Sequence, residues 1–86
     1  MVNEKLNTLS IGVIKIIKEV MNYDDNTILN NETKLFIELG IDSIKIMEII
    51  ISLEDYFQVV IDDNELVEEN FVSVQSICEL ISRLDG

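Results

Sequence analysis

Apolar residues return every three or four positions in three separate stretches of this chain, and that spacing commits it to helices. Between residues 3 and 21, Leu6, Leu9, Val13, Ile16, Ile17 and Val20 make one stripe, with Glu4, Lys5, Thr8, Lys15, Lys18 and Glu19 between them. Gly12 interrupts this helix at a cost of about 1 kcal/mol relative to Ala, which a long, regular stripe offsets. From Asn22 to Ile41 the pattern breaks into Asn, Asp and Thr, and a connection this long needs pins, for which Leu29, Leu35, Phe36 and Leu39 are suited. A short helical turn can start near Asn31. The second helix begins at Asp42 or Ser43, either of which can cap it, and runs to about Phe57. Asp62 with Glu65 three residues on resembles a capping box and predicts a short third helix from about Asp63 to Glu69. Ser73 caps a last helix, with Val74, Ile77, Cys78, Ile81 and Leu84 on one face.

Eighty-six residues suffice for one domain, residues 1–86, with one core. Uninterrupted apolar runs reach only three residues, as at Ile49-Ile50-Ile51, too few for a membrane span or a signal peptide, so a cytoplasmic, soluble protein is expected. Met1 followed at once by the first helix suits a free-standing protein, and an excised module with an engineered start would read the same. A single cysteine, Cys78, cannot form an internal disulfide, and its apolar neighbours make it a small core residue rather than a reactive thiol.

The chain has no histidine, which removes Ser-His-Asp and Cys-His arrangements and any side chain that ordinarily titrates near neutral pH. Zinc lacks ligands. The run Asp62-Asp63-Asn64-Glu65 suggests calcium, but an EF-hand loop counted from Asp62 needs Gly and Glu where Val67 and Ser73 stand. The three glycines, at 12, 40 and 86, are too scattered to cradle a phosphate. An enzyme is therefore not expected. A net charge of −11 disfavours nucleic acid and anionic membranes and favours partners with basic patches. Nine of the seventeen acids lie between Asp42 and Glu69, against the single base Lys45, so partners should dock there.

The second helix carries two apolar stripes. Ile46, Ile50, Leu53 and Phe57 form the one expected to face the core. Ile44, Met47 and Ile51 form another, displaced by about 130° at 100° per residue, with Glu48, Glu54 and Asp55 beside it. Either the helix is enclosed on two sides, or the second stripe is a docking face rimmed by acids. Ser43 is similarly open to two readings, since a serine after an aspartate at a helix start is ordinarily a cap.

The stretch Leu39-Gly40-Ile41-Asp42-Ser43-Ile44, followed by Glu48, by Leu53-Glu54-Asp55-Tyr56-Phe57 and by Ile61-Asp62-Asp63, closely resembles the acyl and peptidyl carrier protein family. The resemblance runs over nearly the whole chain. It implies an all-α fold, a small four-helix bundle with a long loop between helices one and two and a short third helix. It also implies that a phosphopantetheinyl transferase moves 4′-phosphopantetheine from coenzyme A onto Ser43, with Asp42 the neighbouring acid. Partners would rest on Ile44, Met47, Glu48, Ile51 and Glu54. They would include a loading ligase or acyltransferase and synthase, condensing and tailoring enzymes with basic docking patches, meeting a monomeric carrier. Acyl, aminoacyl or peptidyl cargo would ride as a thioester. Leu-Gly-Ile-Asp-Ser-Ile-Lys looks more like carriers of polyketide, polyunsaturated-lipid or nonribosomal peptide assembly than the commonest fatty-acid type. A fatty-acid or D-alanyl carrier is the alternative within the family. Outside it stands an acidic helical interaction module with Ser43 as a plain N-cap.

Overall fold

The computed structural model describes the backbone of residues 4–85 and the side chains of residues 8–84. The expected helix start at Asn3 and the side chains of Glu4, Lys5 and Leu6 lie outside the described residues. Helix α1 spans Glu4–Met21. Leu9, Val13, Ile16 and Ile17 are buried, as the stripe predicts, and Val20 packs against them. The helix ends in a Schellman turn. Asn22 takes the left-handed conformation (φ 59°), its N–H donates to Glu19 O (3.3 Å), and the Tyr23 N–H donates to Lys18 O (2.8 Å).

Gly12 has a packing reason that its helix propensity does not reveal. A Cβ there would lie 2.8 Å from Cζ of Phe57 and 2.9 Å from Cε1 of Tyr56, the two rings packed edge to face at the far end of the next helix. Propensity alone predicts that Gly12→Ala gains about 1 kcal/mol, whereas the overlap predicts a net loss of about 1 kcal/mol. Urea unfolding separates the two, and a stabilised variant would show that the rings move aside freely.

The long connection is pinned as expected. Leu35 is fully buried, and Leu29, Phe36 and Leu39 pack against the core. Backbone bonds add to this: the Leu35 N–H donates to Val72 O (3.0 Å), Val74 N–H to Thr33 O (3.1 Å) and Gln75 N–H to Asn31 O (2.9 Å). Lys34 and Ser73 thereby form an isolated antiparallel bridge. The turn near Asn31 is a tight one, closed by Thr33 N–H on Asn30 O, with Asn30 Oδ1 accepting from the Glu32 N–H. A second turn of the chain follows at residues 34–39.

Helix α2 spans Ser43–Phe57 and ends at Gln58, again left-handed (φ 54°). Its buried residues are Ile49, Ile50 and Leu53, while Ile46 and Phe57 are only partly covered. The buried stripe is thus turned toward Ile49, because α1 covers this helix from one side.

The short third helix is not α-helical. Two 3₁₀ turns, Asp63–Glu65 and Glu68–Asn70, stand in its place, separated by Leu66 and Val67. The Asp62 carboxylate accepts from the Asn64 N–H (3.0 Å), an Asx turn, and extended, β-branched Val67 (φ −118°, ψ 147°) stops propagation. Glu65, instead of completing a capping box, reaches Arg83 (3.6 Å). The expected four-helix bundle is therefore three α-helices and a 3₁₀ pair.

Helix α3 spans Val74–Asp85 and is capped by Ser73, whose Oγ accepts from the Ser76 N–H (3.1 Å). Val74, Ile77, Cys78, Leu80 and Ile81 are buried. Burial pushes the Cys78 thiol above the ordinary thiol range, and its contact with Ser10 Oγ (3.5 Å) opposes this. Ser10 in turn donates to Asn31 Oδ1 (2.6 Å), so α1, the loop and α3 share one polar joint that runs from buried Cys78 out to exposed Asn31.

Candidate functional site

Gly40, Ile41 and Asp42 deliver the chain into α2. Gly40 is left-handed (φ 64°), and nothing lies within 4 Å of where a Cβ would be, so the backbone conformation rather than crowding calls for glycine. Ile41 is buried, and its N–H donates to Leu35 O (3.1 Å), which fixes the approach to the helix.

The cap is Asp42. Its Oδ1 accepts from the Lys45 N–H (2.9 Å) and its carbonyl accepts from the Ile46 N–H (2.9 Å). Ser43 is the first residue inside the helix and is exposed. The plain N-cap reading of Ser43 is thereby corrected: the preceding aspartate has that task, and the serine hydroxyl is left facing solvent. A phosphodiester on that hydroxyl fits here. The space beside Gly40 is open, and the first turn of a 15-residue helix presents its positive end to an anion.

The second stripe is not enclosed. Ile44, Met47 and Ile51 are 72%, 47% and 62% exposed, and Glu48 is exposed beside them, 3.4 Å from Lys45. Glu54 differs from expectation. Half-buried, its Oε2 accepts from the Ile61 N–H (2.8 Å) and ties the end of α2 to the returning chain. Nothing in the local sequence signals a contact across seven residues.

Sequence reasoning also missed an apolar cleft of about 150 Å³ beside this face. Phe36, Ile46, Met47, Ile50, Leu66 and Phe71 line it. They come from the loop, α2 and the 3₁₀ segment, and no periodicity within one element could have joined them.

The sequence pattern of the family described as "Phosphopantetheine attachment site" matches residues 12–81, which takes in all of α2 with Ser43 and the adjoining parts of α1 and α3. The chain belongs to that family. Similar proteins agree. The acyl carrier protein of Campylobacter concisus (strain 13826) is 38% identical over 53 residues, 62% of this chain and 66% of that protein. That of Campylobacter lari (strain RM2100 / D67 / ATCC BAA-1060) is 29% identical over 72 residues, 84% of this chain and 90% of its own. That of Buchnera aphidicola subsp. Baizongia pistaciae (strain Bp) is 40% identical over 55 residues, 64% and 68%. As an acyl carrier protein family member, the chain is a carrier rather than an enzyme, and its prosthetic group is 4′-phosphopantetheine. The group supplies the thiol that the protein lacks at its surface, and the protein supplies presentation to transferases and synthase enzymes. Among the described residues no helix is long and apolar enough to cross a membrane.

Proposed function

We propose that Ser43 is the attachment point of 4′-phosphopantetheine and that the chain, acting as one domain over residues 1–86, delivers thioester-bound acyl intermediates between partner enzymes. The observation that carries this is the division of labour at the start of α2: Asp42 takes the cap, and Ser43 Oγ is exposed at the positive end of the helix. Acyl cargo is favoured over aminoacyl or peptidyl cargo by the similar proteins, all named acyl carrier proteins, and by the apolar cleft bordering Met47. The pathway we assign, on the likeness of Leu39-Gly40-Ile41-Asp42-Ser43-Ile44-Lys45 to such carriers, is polyketide or related lipid assembly in the cytoplasm, on a monomeric carrier. A fatty-acid role is the second reading, favoured by those same relatives.

The test is intact mass before and after incubation with coenzyme A and a promiscuous phosphopantetheinyl transferase. A gain of one phosphopantetheine establishes the carrier role, and subsequent incubation with candidate loading enzymes separates the pathways. No gain on a protein shown to start unmodified would refute the assignment of Ser43.

Ile44, Met47, Glu48 and Ile51 make up the proposed partner face, apolar at its centre and acidic at its rim. Glu54 contributes from its edge while holding the Ile61 N–H. Glu48→Lys should slow transfer by the modifying enzyme and change stability by less than about 0.5 kcal/mol. Glu54→Lys should in addition cost about 1 to 2 kcal/mol, because a charge-assisted hydrogen bond is lost. Urea melts beside transfer rates read the difference, and equal stability of the two variants would discount the Glu54 to Ile61 tie.

A further inference from the structure

Two isoleucines of the long loop stand out in solvent, Ile28 at 88% and Ile37 at 83% exposed. Their settings differ. Ile37 occupies the turn at residues 34–39, which is closed by three hydrogen bonds on Lys34. The N–H groups of Glu38 and Leu39 donate to Lys34 O (3.0 and 3.2 Å), and the Lys34 N–H donates to Glu38 Oε1 (2.7 Å). Leu35 and Phe36, just before it, are buried and half-buried, and Leu35 O holds the Ile41 N–H two residues before Ser43. Phe36 also shares its cleft with Met47 of α2. The turn is thus a fixed platform abutting the first turns of α2, with one apolar side chain projecting from it.

A side chain held outward by this many bonds loses little freedom when it is covered, so an apolar knob of this kind is worth more to a partner than one on a mobile loop. Its surroundings match the α2 face. Glu38, the next residue, is an exposed acid, as Glu48 is beside Met47. One partner surface, apolar in the middle and basic at the edge, complements both.

We propose that Ile37 is a further specificity-determining contact for the phosphopantetheinyl transferase that acts on Ser43, and that Glu38 is its positioning residue through the Lys34 N–H. The occupant is that transferase, seated across α2 and the 34–39 turn together. This rests on the carrier reading and extends its docking surface off the helix.

The experiment is a time course of phosphopantetheine transfer from coenzyme A by a phosphopantetheinyl transferase, followed by intact mass, with kcat and KM resolved. The substrates are wild type, Ile37→Ser, Ile28→Ser, Glu38→Ala and Glu38→Gln, each first shown by circular dichroism to be folded. Ile37→Ser should raise KM about tenfold while kcat stays within about twofold, the size expected for an anchoring apolar contact, and Ile28→Ser should leave both unchanged. Glu38→Ala should raise KM about threefold, and Glu38→Gln, whose amide oxygen can still accept from the Lys34 N–H but which lacks the charge, should recover part of that rise. A KM for Ile37→Ser within about twofold of wild type, or an equal rise for Ile28→Ser, would overturn the contact. Failure of Glu38→Gln to rescue would overturn the positioning role. Wild type that gains no mass would overturn the carrier reading instead, an outcome distinct from unchanged kinetics.

Discussion

Ser43→Ala should abolish the gain of phosphopantetheine completely and leave the protein as stable as wild type to within about 0.5 kcal/mol. Both halves follow from the start of α2. The only hydroxyl at that helix end is removed, yet the cap is untouched, because Asp42 Oδ1 still accepts from the Lys45 N–H. Alanine is also the best helix former, and the position is exposed. The neighbouring substitution should behave in the opposite way. Asp42→Ala leaves the hydroxyl in place but loses the cap, at about 1 kcal/mol. Intact mass and urea unfolding on the same two variants read both effects. A destabilised Ser43→Ala would mean that the serine shares the cap, and a mass gain that survives in it would place the attachment elsewhere.

A substitution in the loop should cost as much stability as one in a helix core. Leu35→Ala removes a fully buried side chain and should cost about 2 to 5 kcal/mol, a large share of the roughly 5 to 15 kcal/mol that holds a domain of this size together. The effect should reach the site, because the backbone of Leu35 links Val72 on one side and Ile41 on the other. Denaturant midpoints measure the first part, and hydrogen exchange at the Ile41 amide measures the second. A cost below about 1 kcal/mol would mean that the loop is not held by its core contact.

Helix boundaries were legible because they are written locally. Asp42, Ser73 and the spacing of Leu9, Val13, Ile16 and Ile17 need only near neighbours in sequence to be read. The family could also be read from the residues around Ser43, since the Asp-Ser pair and its flanks are contiguous. What escaped depends on approach through space. Gly12 makes sense only beside Tyr56 and Phe57, more than forty residues away. The covering of Ile49 and Leu80 depends on where neighbouring elements lie, which a single-helix projection does not contain. Asp62 signalled the start of an element correctly but not its continuation, which Val67 ended by extending the chain. Glu54 read as a rim charge because its partner is a backbone amide, and backbone amides have no sequence signature.

The bonds that pair Leu35 with Val72, Thr33 with Val74 and Asn31 with Gln75 also set a timetable. They join segments about forty residues apart, and such distant closures form late because the intervening chain must first give up its freedom. On a chain still being synthesised, α1 and α2 can coil before this closure, but the segment leading into Ser43 stays untethered. Only after residue 75 has left the ribosome can the approach to the serine take its final shape. A modifying enzyme that reads this platform would therefore act on folded carriers and pass over nascent ones.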